Sequence, residues 1–300
     1  MNRFAKYSWG VLGWNMLVIL WGAIVRATGS GAGCGNHWPS CNGAIIPTTE
    51  RIQTVIEFTH RVMSGTALIM VFILLIWGLR NYAKGSHQRI GFIGSAFFII
   101  LEALLGAGLV LFKLVEGNST VFRAIAIALH LLNTFILLAF LALNAWWASG
   151  GKRLSFKNRG QLPLLFGLGL AGVAIIGMSG AITALGDTLF PSTSLASTLA
   201  EQADQGAHFL IRLRIYHPII AILVGVYTLY LVKYLYGKFD NLTIKKLSIL
   251  LGTLILVQWM AGVSNILLLA PVWMQVIHLF LADSVWIAYI LLAGTVFSQE

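Results

Sequence analysis

The chain has 300 residues, 58% hydrophobic and only 10% charged, with a mean hydropathy of +0.84. A water-soluble fold of this length cannot hide that much apolar surface, so the composition points to a polytopic membrane protein. A net charge of +10 and a pI near 9.9 would suit nucleic acid, but Lys and Arg cluster between apolar segments, which is a topology signal, and no nucleic-acid partner is expected.

Eight helical segments are predicted, at roughly 8–27, 52–79, 89–112, 120–147, 161–186, 208–236, 244–269 and 272–297. At 1.5 Å per residue each crosses about 30 Å of hydrocarbon. The first is as long as a span and lacks a small-residue cleavage site, so it reads as a membrane helix and not a cleaved leader. Arg3 and Lys6 precede it. Arg80, Lys84 and Arg89 lie between the second and third segments. Lys152, Arg153, Lys157 and Arg159 lie between the fourth and fifth, and Lys233, Lys238, Lys245 and Lys246 around the sixth-to-seventh turn. The opposite loops hold few such residues, and the 187–207 loop carries Asp187, Glu201 and Asp204. Both termini are therefore expected in the cytoplasm, at the cell (inner) membrane, with loops 28–51, 113–119, 187–207 and the Ala270-Pro271 turn outside.

The loop after the first segment reads Gly33-Cys34-Gly35-Asn36-His37-Trp38-Pro39-Ser40-Cys41. An outward position permits a disulfide, and six intervening residues with glycine and proline can close one. With one histidine the pair is too poor in ligands for zinc. A structural staple and a redox-active pair are both open readings.

The halves repeat. Gly22-Ala23-Ile24 in the first segment matches Gly180-Ala181-Ile182 in the fifth; Glu102, four before Gly106, matches Gln258, four before Gly262. His60 matches His217 and His130 matches His278, giving offsets of 158, 156, 157 and 148 residues. The expected architecture is all-α: two tandem four-helix bundles, 1–150 and 151–300, related by a pseudo-twofold along the membrane normal.

His60, His130, His217 and His278 sit about 8, 10, 9 and 6 residues into their segments, or roughly 9–15 Å deep at 1.5 Å per residue. A histidine in a bilayer is costly unless its nitrogens are occupied. A lone one is commonly an interhelical hydrogen-bond partner. Four at matched depth point instead to two bis-histidine sites, His60 with His130 and His217 with His278, and haem is the natural occupant. Arg61, Arg123, Arg212 and Arg214 lie within a turn or two of them, and guanidinium groups bind propionate carboxylates bidentately. Snorkelling to the interface is the alternative for these arginines, above all for Arg123. His87 is expected to be solvated. Glu102 lies mid-membrane, with pairing to a neighbouring helix and a place in a proton path both open readings, and Asn133 is placed to orient His130.

Glu57 lies three residues before His60 and shares its helix face, while Arg214 holds that position before His217. A carboxylate beside one site suits a general base or a stabiliser of developing positive charge. An ion pair with Arg61 or Arg26 is the structural alternative. The cysteines are also confined to the first half.

The Glu57-Phe58-Thr59-His60-Arg61 stretch, the Gly29-Ser30-Gly31 loop, the Cys34 and Cys41 pair and one histidine on each even-numbered segment together resemble the haem A synthase family, along essentially the whole chain. The resemblance implies oxidation of a ring methyl of haem O to a formyl group by successive hydroxylations. It implies substrate haem O between His60 and His130, and haem b as electron-transfer cofactor between His217 and His278. Glu57, with Cys34 and Cys41, would be catalytic. Membrane lipid, a haem O synthase and a terminal oxidase assembly pathway would be partners, with a homo-oligomer left open. Many relatives carry a second cysteine pair in the loop between the fifth and sixth helices; residues 187–207 contain none. A bis-haem cytochrome passing electrons between quinol and a partner is the alternative, and a transporter ranks third.

Overall fold

A computed structural model describes residues 1–48 and 51–299. Among these residues all regular structure is helical, apart from an isolated bridge between Cys41 and Ala44. The helices are α1 (Arg3–Ala27), α2 (Ile52–Asn81), α3 (His87–Leu111), α4 (Val121–Ala148), α5 (Leu162–Leu189), α6 (Leu195–Ala203), α7 (Phe209–Leu213), α8 (Tyr216–Lys238), α9 (Leu242–Leu267) and α10 (Val272–Phe297). With α7 and α8 taken as one span, eight helices are long and apolar enough to cross a membrane. The described residues thus carry the eight spans of a multi-pass membrane protein, as expected.

Local chemistry sets the ends. α1 begins at Arg3, earlier than expected, because Asn2 Oδ1 accepts the Ala5 N–H at 2.7 Å and caps it. In the 187–207 loop, α6 was not anticipated; Ser194 and Ser197 form a capping box that nucleates it.

The sixth segment is not one continuous helix. It breaks at Arg214–Ile215, between α7 and α8. Pro218 explains this: lacking an N–H, it cannot bond the Arg214 carbonyl, and its ring crowds that turn. His217 is thus the second residue of α8, not deep within an unbroken helix.

Within the first half α1 packs on α2 and α4, and α3 joins α2 to α4; in the second, α8 packs on α5 and α9, and α9 on α10. Between halves α4 meets α5 and α10, and α1 meets α10. α4 and α10 are the most buried spans. They are joined where Phe135 and Trp286 stack at 4.8 Å and the Trp286 indole N–H donates to the Phe135 carbonyl at 2.6 Å.

Two large apolar clusters form. One joins Phe4, Leu12, Val71, Leu74, Phe92 and Leu138; the other joins Phe166, Leu231, Leu235, Leu251, Tyr289 and Leu292. Both occupy the end of the bundle that carries the termini. The four histidines lie toward the opposite end, where a smaller apolar cluster joins Ala124, Leu185 and Leu210.

Candidate functional site

Each of the four histidines is seated on a glycine of the long helix that precedes it. Gly22 of α1 faces His60 of α2, Gly106 of α3 faces His130 of α4, Gly180 of α5 faces His217 of α8, and Gly262 of α9 faces His278 of α10. The edge turned to the glycine contains Cε1 in every case. A Cβ on Gly22, Gly180 or Gly262 would lie 3.1, 2.9 or 3.2 Å from that carbon, whereas one on Gly106 would lie 4.0 Å away. Missing side chains let the helix backbones approach and fix the ring planes. All four imidazoles remain half-buried.

Polar side chains approach three of the rings. Glu102, one turn before Gly106, puts Oε1 3.4 Å from His130 Nδ1. Gln258, one turn before Gly262, puts Nε2 3.4 Å from His278 Nε2. Ser179, beside Gly180, has its hydroxyl 3.0 Å from His217 Nδ1. The Nδ1 atoms of His60, His130 and His278 are buried with no hydrogen-bond partner, Glu102 standing near that of His130 only at ion-pair distance, which is costly in apolar surroundings and marks an incomplete site. The rings of His217 and His278 stand with centroids 6.3 Å apart and planes at 86°. With metal–imidazole bonds of about 2 Å, two rings ligating one metal from opposite sides would have centroids roughly 6 Å apart.

Among the described residues no group of three or more His, Cys, Asp or Glu side chains stands together to hold a bare ion. Two histidines alone suit a metal whose other ligands come with it, as in a tetrapyrrole. The glycine seats, the orphaned nitrogens and the histidine spacing all fit such a group.

Glu57 is buried and both its oxygens are taken. The Cys34 N–H donates to Oε2 at 2.7 Å; Arg61 donates to Oε1 from Nε at 3.1 Å and Nη2 at 2.5 Å. Arg61 Nη1 also donates to the carbonyls of His37 and Ser40, at 2.7 and 2.6 Å. The Cys34–Cys41 disulfide closes the loop, and Thr54 pins Gly33 through a 2.6 Å hydrogen bond. One carboxylate and one guanidinium thus tie the cysteine loop to the helix carrying His60. Arg61, not Arg26, is the partner of Glu57.

The arginines divide. Arg61 and Arg214 are engaged within the chain: Arg214 Nε lies 3.0 Å from Asp187 Oδ1, and its Nη atoms donate to the Phe190 carbonyl and Ser192 hydroxyl. Arg123 is buried, donates once to the Asn118 carbonyl, and leaves its Nε without a partner. Arg212 is exposed. Arg26 crosses the halves, donating to the Ala184 carbonyl and Thr188 of α5 and to Gln275 of α10.

His87, expected to be solvated, accepts from Arg153 Nε at 2.7 Å. Asn133 is not hydrogen-bonded to His130 among the described residues. It donates to Glu102, which stands 3.4 Å from His130 Nδ1. The sequence reading passed over Asp283, fully buried in α10 with both carboxylate oxygens lacking partners. One acidic letter inside an apolar run was the signal available.

Residues 5–290 match the family described as COX15-CtaA, cytochrome oxidase assembly protein. Proteins named Protoheme IX farnesyltransferase from two strains of Thermus thermophilus are 49% identical over 97% of this chain and 48% of their own length. The chain thus spans about half the length of those relatives. A protein named Heme A synthase from Halalkalibacterium halodurans is 39% identical over 42% of each chain, and another from Alkalihalophilus pseudofirmus is 42% identical over 32% of this chain and 33% of its own.

Proposed function

This chain belongs to the COX15-CtaA family of cytochrome oxidase assembly proteins, and from that premise we propose that it is a haem A synthase, a membrane oxidoreductase that converts a ring methyl of haem O to a formyl group. The observation that carries the reading is the fourfold seating of His60, His130, His217 and His278 on glycines of the preceding helices. Relatives named Heme A synthase support it. Farnesyl transfer, named for the Thermus proteins, is said of chains about twice this length and is not carried over.

In this reading residues 1–150 hold substrate haem O between His60 and His130, and residues 151–300 hold haem b between His217 and His278. The paired seats, Gly22 with Gly180 and Gly106 with Gly262, support a pseudo-twofold along the membrane normal. The distribution of Lys and Arg supports cytoplasmic termini and an outward disulfide loop.

Methyl to formyl, with water as the oxygen donor, releases four electrons and four protons by way of a hydroxymethyl group and a gem-diol that loses water; the electrons leave singly to a membrane electron acceptor. Bound haem b supplies one-electron transfer. Glu57 stabilises positive charge developing at the methyl carbon or takes a proton there. Arg61 and the Cys34 N–H fix its orientation, and the disulfide holds that N–H in place. Arg123, with its unpartnered Nε, and exposed Arg212 take the propionates. Arg61 and Arg214 brace the walls through Glu57 and Asp187. A haem O synthase supplies the substrate, terminal oxidase assembly consumes the product, and lipid surrounds the helices.

The test is extraction and mass analysis of haems from the chain expressed in a host that makes haem O, beside Glu57→Ala. Haem A or a hydroxylated intermediate in the parent, and accumulated haem O in the variant, is the expected result. Full engagement of both Glu57 oxygens favours one other reading, a bis-haem cytochrome in which Glu57 is structural. Unaltered haem b in both samples would select that reading instead.

A further inference from the structure

The two histidine sites differ most where the repeat is otherwise closest. On α3, Glu102 and Gly106 are one turn apart and both face His130, Glu102 at Nδ1; on α9, Gln258 and Gly262 both face His278, but Gln258 meets Nε2 and Nδ1 has no partner. The same helix face thus presents a carboxylate in one half and a neutral amide in the other.

The surroundings follow the charge. Glu102 Oε2 accepts from Asn133 Nδ2 at 2.5 Å, and Oε1 lies 2.5 Å from the Thr134 hydroxyl. By the 148-residue offset of His130 to His278, these donors become Leu281 and Ala282. Neither side chain donates a hydrogen bond, and Gln258 Oε1 is buried without a partner. A buried carboxylate needs donors, whereas an amide tolerates their absence at lower cost. Three positions have changed together, which is more than one drifting residue.

We infer that Glu102 is a positioning residue that makes the first site electron-rich relative to the second. This rests on the proposed reading that both sites hold haem. A carboxylate beside the outer nitrogen of a ligating imidazole fixes its tautomer and raises its basicity. A more basic axial ligand favours the oxidised metal and lowers its reduction potential. Gln258 is neutral and meets the other nitrogen, Nε2, so the unpartnered Nδ1 of His278 receives no such push. Electrons therefore run downhill from the His60/His130 site, where the methyl is oxidised, to the His217/His278 site. Asn133 and Thr134 set how much of the carboxylate's charge reaches His130.

The experiment is a spectroscopic redox titration of the full chain reconstituted with haem, in the parent, Glu102→Gln and Thr134→Ala. The expected parent shows two midpoints. Glu102→Gln raises the lower one and leaves the higher unchanged. Thr134→Ala, which removes a competing donor and frees the carboxylate for His130, moves that lower midpoint further down. Opposite shifts from neighbouring residues are not what loosened packing produces. Two unmoved midpoints with both haems retained, or equal shifts in one direction, would overturn the inference. Should Glu102→Gln release its haem, the direction of the Thr134→Ala shift decides alone. A parent chain that binds no haem would instead overturn the functional reading beneath it.

Discussion

Gly180 and His217 touch across α5 and α8: the Cβ of an alanine at 180 would stand 2.9 Å from the imidazole Cε1. Something must move, and overpacking of this kind costs about 1–3 kcal/mol. Gly180→Ala is predicted to weaken haem retention in the second half about ten- to a hundredfold, at about 1.4 kcal/mol per decade. Gly106→Ala, with 4.0 Å of room before His130, is predicted to be tolerated. Haem content per chain, measured by pyridine haemochrome, checks the contrast. Equal loss in both would mean that the glycines serve general helix packing and not the rings.

Arg61→Lys is predicted to loosen the cysteine loop despite conserving charge. A lysine ammonium lacks the planar fork that bonds Glu57 and the His37 and Ser40 carbonyls at once. Breaking such a buried pair costs on the order of 3 kcal/mol. The check is the rate at which dithiothreitol reduces Cys34–Cys41 in detergent, expected to rise at least tenfold. An unchanged rate would show that the loop holds without Arg61.

Asp283→Leu is predicted to stabilise the protein. Both oxygens of Asp283 lack partners inside α10, and burying a polar group unsatisfied costs about 1–3 kcal/mol. The repeat offset puts Phe135 at the matching place in the first half, so an apolar side chain suits the position. A thermal melt should shift upward by several degrees, at about 2–4 °C per kcal/mol. A fall in midpoint would mean that the carboxyl group is satisfied in the working protein by something it binds.

Much of the site was legible as a list of residues, and little of it as a set of contacts. Gly22, Gly106, Gly180 and Gly262 were noticed only as landmarks of the repeat, and their packing on histidines needed the helix rotations. Helical spacing places Glu57 on the face of His60, and its pair with Arg61 is one of the two ion pairs that the sequence offered. The Cys34 N–H reaching it from 23 residues away had no local signal. Pro218 was visible, yet the break it forces at Arg214–Ile215 was missed because apolar content ran on through it.

The sequence by itself determined that this chain has eight apolar spans, and its spacing pointed to repeated halves and to four histidines at comparable depth. Those are properties of length, composition and spacing, which act along one chain segment at a time. The tertiary structure decided which side chain meets which ring. Glu102 finds His130, Asn133 and Thr134 only because α3 lies against α4 at one particular rotation. In a lipid-facing helix apolarity is nearly uniform around the circumference, so the sequence pattern cannot specify that rotation; close packing at glycines and pairing of scarce polar groups do.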